Sequence, residues 1–342
     1  MFSQMTSDQR FLVATGMRNE GPFIVEWVAW YRMLGFEILV ATNDCTDHST
    51  EMLNAFARAG WLTHVPHVPR ADQPPQKSAL RKIINHPLSK EVDWVLICDV
   101  DEFLVLHERD TIADFMGPAP HDFRAMAFNW RCFGDGGLDK YEDGLVHRQF
   151  RRCGMEHLPF NRSIKSILRT PLDYKRLGAH FPHDFGGDVA APENRVVDSS
   201  GQTLPQFADP ANYPIRFLDQ EQITHKQAQM NHYILRSKES YDHKRGIPSA
   251  AGFKDRYTEE FYNRHNKNGM RDVTAYRFSD PFEKVHTEAM ALPDITRLHH
   301  ICCAEYVVRM NEKRGQDPEA DPRYHHHMTQ ANRAAANRET SP

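Results

Sequence analysis

"VDWVLICDVDEF" (residues 92–103) runs apolar from Trp94 to Cys98 and then sets Asp99, Asp101 and Glu102 close together. The apolar half reads as a strand bound for the interior, and the acids mark the point where it meets solvent. Two carboxylates ~4 Å apart repel by about 4 kcal/mol at an effective dielectric near 20, so a crowd of three calls for compensation. No Lys or Arg lies between Lys90 and Arg109, and the local sequence therefore offers no basic partner. A divalent cation is the leading expectation.

Outward from this strand, the first hundred residues keep a regular rhythm. "RFLVAT" (10–15), "FEILVAT" (36–42) and "WLTHVPHV" (61–68) read as strands; "GPFIVEWVAWYRMLG" (21–35), "STEMLNAFARAG" (49–60) and "PQKSALRKIINH" (75–86) read as helices. Phe23, Trp27, Trp30, Tyr31 and Leu34 recur at helical spacing after Pro22, a residue suited to a first turn. Ser49 and Gly60 bracket the second helix as cap and stop. Such alternation predicts an open, mostly parallel α/β sheet. Ligands gather at the carboxyl ends of strands in these sheets. Here those ends are "TGMRNEG" (15–21), "TNDCTDHS" (42–49), "PRADQPPQ" (69–76) and "DVDEF" (99–103).

After Phe103 the pattern loosens into irregular, Pro-rich stretches. The expected organisation is an N-terminal tail (1–9), a main domain (10–250), a helical extension (251–314) and a polar tail (315–342) expected to be disordered. The chain has 342 residues, 40% hydrophobic and 26% charged, with a net charge of −4. That balance gives no basic field for nucleic acid. No apolar run reaches the ~20 residues of a membrane helix. The N-terminus lacks the pattern of a signal peptide, so a cytoplasmic protein is expected.

The six cysteines form no CxxC and are expected to be reduced. "HHICC" (299–303) lacks the usual x2–4 ligand spacing, and adjacent ligands do not easily converge on one ion, so no structural zinc is expected there. "HHH" (325–327) reads as part of the solvated tail.

"MRNEGPFIVEWVAWYRMLGF", "NDCTDHSTEML", "WVLICDVDEFL" and "MNHYILRSKESYDHKRG", in that order, resemble the bacterial family 2-like glycosyltransferases, over roughly residues 10 to 250. The resemblance implies a GT-A fold: a Rossmann-like, open, mixed but mostly parallel sheet flanked by helices. It also implies transfer of a sugar from a nucleotide-sugar donor, UDP- or GDP-linked, to a saccharide or other hydroxyl acceptor. Mn2+ or Mg2+ would sit on the diphosphate through the Asp-x-Asp motif.

Carboxylate oxygens suit those ions, which agrees with the acid cluster. Asp101 is the main expected ligand, with Asp99 on the metal or the ribose; the plainer alternative is an Asp capping a turn. Asp44 is expected on the base or ribose of the nucleotide, with Thr15 and Glu20 lining the opposite wall. Arg18 faces either a phosphate or solvent. The resemblance adds His232 as a further metal ligand, and Lys165 and His180 near the site. Lys238, Lys244 and Arg245 are expected to close over the diphosphate as a mobile flap. Trp130 offers an apolar face to a sugar ring, beside the glycine-rich loop Gly134, Gly136 and Gly137.

An inverting transfer needs a base for the acceptor hydroxyl. The acid pair of many relatives points to Glu142 and Asp143, with His180 and Asp184 as alternatives; Asp143 and His180 are the expected catalytic residues. Two other functions fit less well. One is a carbohydrate-binding protein without catalysis on the same fold. The other is an Asp-nucleophile phosphohydrolase, which would want Thr or Val where Phe103 stands.

Overall fold

Apolar runs bounded by turn residues become strands and helices where their spacing predicts. β1 (Phe11–Met17), α1 (Gly21–Met33), β2 (Glu37–Thr42), α2 (Ser49–Arg58), β3 (Thr63–Pro66), α3 (Pro75–Asn85) and β4 (Trp94–Ile97) follow the expected alternation. The computed structural model describes residues 9–209, 215–252 and 255–339. Nearly all of the expected N-terminal tail, and the last three residues, lie outside that range.

β5 (Glu102–Leu106), β6 (Ala125–Cys132), β7 (Ile164–Arg169), β8 (Val196–Asp198) and β9 (Ala228–His232) complete one nine-stranded sheet. Its order is β3-β2-β1-β4-β7-β6-β9-β5, with β8 beside β6. β1 pairs in parallel with β2 and β4, β2 with β3, and β6 with β8 and β9. β7 runs antiparallel to β4 and β6, and β9 antiparallel to β5. The sheet is therefore mixed and mostly parallel, and helices flank it.

α1 is apolar on nearly every side, and a helix of that kind belongs in an interior. Trp27, Trp30 and Tyr31 are fully buried between the sheet and two C-terminal helices, α5 (Ser279–Ala291) and α6 (Ile295–Lys313). Between β9 and these lies the short helix α4 (Lys238–Lys244). Phe282, Leu298, Tyr306 and Met310 join the same apolar core as α1.

Two expectations change at this level. The polar tail is not disordered where it is described: Pro322–Glu339 forms a helix, α7, packed along α6. His327 and Ala331 are buried on its inner face. Arg323 anchors it, donating to Glu239 Oε2 at 2.7 Å, the Tyr141 carbonyl at 2.7 Å and Asp321 Oδ2 at 2.7 Å. The start of α2 is held by Asp47 rather than by the Ser49 side chain. Asp47 Oδ1 accepts the Ser49 N–H at 3.0 Å, while Ser49 Oγ is buried with no partner among the described residues.

Candidate active site

The missing basic partner of the acid cluster comes from a distant strand. Pairing of β7 with β4 sets Ile167 opposite Leu96, which brings Lys165 to the end of β4. Its ammonium is fully buried, donates to Asp99 Oδ2 at 2.8 Å and lies 3.0 Å from Glu102 Oε2. Burial alone would discharge this lysine, but Asp99 and Glu102 raise it well above its ordinary value. Glu102 is itself completely buried, and burial pushes its carboxyl up against the pull of Lys165. Glu102 Oε2 also accepts the Asp99 N–H at 2.8 Å, tying the strand end shut. Two of the three acids are thus compensated within the protein.

Asp101 is the third, and it faces elsewhere. β9 runs antiparallel to β5 and parallel to β6, setting His232 opposite Glu102 on one side and Cys132 on the other. The Tyr233 N–H donates to the Asp101 carbonyl at 2.8 Å, which fixes that turn. His232 Nε2 then lies 3.7 Å from Asp101 Oδ1, with side chains only 5% and 15% exposed. Burial would raise the Asp101 carboxyl, but His232, Lys244 and Arg236 outweigh it and hold the group well below the usual carboxylate range. Trp130 packs over His232 with ring centroids 4.0 Å apart, and over His180 at 5.3 Å. Trp130 Nε1 and Arg236 Nε are buried polar atoms with no hydrogen-bond partner among the described residues.

The nucleotide-side residues expected from the sequence sit on the neighbouring strand ends. Thr15 is buried in β1 and Arg18 is half-exposed in the loop after it. Glu20 accepts from Arg236 Nη1 at 3.1 Å, and the Arg236 guanidinium lies 3.4 Å from the centroid of the Phe23 ring. Asp44 is exposed and holds a positive φ of 47°. A non-glycine residue pays for that conformation, and such strain concentrates at functional loops. The loop is braced from far away: the His48 N–H donates to Glu305 Oε2 at 3.0 Å, and Arg309 Nη2 to Asp47 Oδ2 at 3.3 Å, both from α6.

The family model of glycosyltransferase family 92 matches residues 14–274. The chain belongs to glycosyltransferase family 92. It is a glycosyltransferase, and the matched span holds both the Asp99–Lys165 and the Asp101–His232 clusters. The motifs resembled family 2-like enzymes; the family that matches is 92. No curated protein matches the chain. Among solved structures, residues 1–349 of S. aureus TarS align over 90% of this chain and 92% of that one, at 14% identity and a TM-score of 0.34. The same protein in complex with UDP-GlcNAc aligns over 90% and 93%, at 14% identity and a TM-score of 0.33. Those superpositions are loose.

Within this family 92 transferase the remaining expected residues divide. His180 lies beside the Lys165 cluster, its Nδ1 donating to the Ile164 carbonyl at 3.0 Å. Burial, reinforced by Lys165, lowers it to about 4, so its Nε2 carries a lone pair at neutral pH. Asp143 does not join the acid cluster. Its Oδ2 lies 3.3 Å from His299 Nε2. Burial would raise its carboxyl, but His299, His327 and His300 hold it well below the usual range. That carboxylate is paired with His299 of α6.

The basic stretch after His232 is packed rather than free-standing. Ser237 caps α4 by accepting the Ser240 N–H, and Tyr241 is fully buried. Lys238 donates to Asp242 at 2.7 Å and Arg245 pairs with Asp242 and Glu259. The charge of Lys244 reaches Asp101 and helps to lower its carboxyl. Arg236 and Arg256 were not singled out by the sequence, yet both are held charged partly by Asp101. Arg236 stands inside the quoted "MNHYILRSKESYDHKRG" (230–246), and Arg256 lies ten residues beyond it.

Proposed function

We propose that this glycosyltransferase takes its sugar from a nucleoside-diphosphate donor, UDP- or GDP-linked, and passes it to a hydroxyl acceptor. The reading places Mn2+ or Mg2+ on Asp101 and His232. What supports it is the nearly buried carboxylate–imidazole pair, 3.7 Å apart, at the carboxyl edge of the sheet. Two atoms on one ion with ~2.1 Å bonds lie at most about 4.2 Å apart, so the pair fits a single ion. Oxygen and imidazole donors suit Mn2+ in particular. When bound, the ion would neutralise charge that develops on the departing diphosphate.

The protein's own groups do the rest of the positioning. Arg236, fixed by Glu20 and Phe23, and Lys244 supply cations on the side of Asp101 where phosphate oxygens would arrive. The unpaired Arg236 Nε and Trp130 Nε1 are donors that a bound ligand would satisfy, since buried polar groups are almost always hydrogen-bonded. Lys165 keeps Asp99 and Glu102 from adding their repulsion to an incoming anion. Asp99, two-fifths exposed, remains open to a ribose hydroxyl or to the ion. Asp44, Thr15 and Arg18 line the nucleotide side in this reading, and Trp130 with His180 the sugar side.

Calorimetric titration of UDP and GDP, with and without Mn2+, tests the donor site on wild type and His232→Ala. One nucleotide should bind to wild type only when Mn2+ is present, and His232→Ala should lose that dependence together with the affinity. Equal binding with and without Mn2+, or an unchanged His232→Ala, would remove the metal from the reading. At 100 times its dissociation constant the bound nucleotide should stabilise the fold by about 2.7 kcal/mol.

A further inference from the structure

The spacing objection to a zinc site in "HHICC" holds only while its ligands must come from that stretch. The fold supplies others. His299 and Cys303 stand one turn apart on α6, with Cys303 Sγ 3.6 Å from His299 Nε2. Asp143 approaches from the loop before β7, its Oδ2 3.3 Å from His299 Nε2. His327 arrives on α7, its Nδ1 3.1 Å from His300 Nδ1. One ligand atom each of Asp143, Cys303 and His327 lies within 4.8 Å of the others, and the same is true of Asp143, His299 and His300. Asp143 is common to both sets.

We propose that this cluster is a structural zinc site, with Asp143, Cys303 and His327 as ligands and His299 or His300 completing the four. The ligand chemistry favours zinc: thiolate, imidazole and carboxylate together make a borderline-soft set, unlike the Asp101 pair. His299 stands at tetrahedral spacing from two of these ligands, while Asp143, Cys303 and His327 lie within 4.8 Å of one another. Tetrahedral bonds of ~2.0–2.3 Å put neighbouring ligand atoms about 3.3–3.6 Å apart. The Asp143–His299 and His299–Cys303 separations, 3.3 and 3.6 Å, fall in that range. Cys303 and His327 are buried while Asp143 keeps 29% of its side chain open, which gives an ion a way in. Three separate chain segments meet here, so the ion would staple α7 to α6 and to the loop around Tyr141. On binding, the Cys303 thiol gives its proton to solvent and its sulfur electron pair to the metal.

The test is metal content and spectroscopy on the full chain. Desalted wild type should retain one zinc per chain by elemental analysis. With Co2+ as sole metal, it should show a thiolate-to-cobalt charge-transfer band and intense tetrahedral d–d bands. Cys303→Ala should lose the charge-transfer band, and His327→Ala should bind Co2+ roughly a hundredfold more weakly or worse. Asp101→Asn should keep both signals, which separates this ion from one at the donor site. Wild type that retains no zinc and gives Co2+ no thiolate band would overturn the proposal. So would a charge-transfer band that survives in a folded Cys303→Ala variant, or wild-type Co2+ affinity in a folded His327→Ala variant.

Discussion

Replacing Lys165 with Met removes the cation that makes the acid cluster tolerable. The ammonium is fully buried, 2.8 Å from Asp99 Oδ2 and 3.0 Å from Glu102 Oε2. Deleting one member of a buried pair leaves an uncompensated charge and costs about 3–5 kcal/mol. Asp99 is 39% exposed, so water screens its share and the cost falls mainly on Glu102. At ~2.1 cal/mol/K of unfolding entropy per residue, the whole chain carries roughly 0.7 kcal/mol/K, and the loss becomes a drop of about 4–7 °C in Tm. Without its lysine, Glu102 should keep its proton in the folded state to a higher pH than in the unfolded chain. The folded state then binds more protons, so the variant should lose stability as pH rises from the unfolded value of ~4.3 through the raised folded one. Thermal unfolding followed by circular dichroism across that pH range reads both effects. Adding Glu102→Gln should recover much of the loss, because an amide needs no counter-ion. A Lys165→Met protein that melts at the wild-type temperature, or a double variant no more stable than the single, would refute the compensation argument.

Asp44→Ala should raise the donor dissociation constant by an amount equal to about 1–3 kcal/mol, the scale of a lost hydrogen bond to a polar ligand; unchanged binding by calorimetry takes Asp44 out of the pocket. Truncation after Gly315 strips off α7, with Arg323 and its bonds to Glu239, and should lower Tm by several degrees; an unchanged melt would mean that α7 adds nothing to stability. His180, lowered to about 4 by burial and Lys165, binds fewer protons folded than unfolded, so its share of stability is lost as pH falls from ~6.5 toward 4. His180→Gln should flatten the pH dependence of Tm in that window, and an identical slope would count against a buried neutral imidazole.

The alternating half of the fold was legible because each apolar run there is bounded by Gly, Pro, Ser or charged residues, and local periodicity decides it. β5 was not, since Glu102 begins it: a buried carboxylate at a strand start reads as loop until Lys165 is known to face it. That partner lies 66 residues beyond Asp99, so a search for local compensation had to miss it and lean wholly on a metal. His232 was placed beside Asp101 by strand register, which the resemblance anticipated and periodicity alone could not. The surroundings of Asp143 were not legible, because an acid pair in "YED" carries no mark of what the C-terminal helices bring against it. α7 was read as disordered because its buried face uses His327 and Ala331, residues that score as polar or small rather than as core.

Nucleoside diphosphate release from UDP- and GDP-sugars, measured with excess Mn2+ and again with excess chelator, is the most direct check on the proposed reaction. Wild type should turn over one donor class only when the metal is present. Asp101→Asn, with an unchanged circular dichroism spectrum, should fall by about 10²–10³-fold, the scale of losing one electrostatic group at a reacting centre. Full activity of Asp101→Asn, or wild-type turnover undiminished by chelator, would contradict the account.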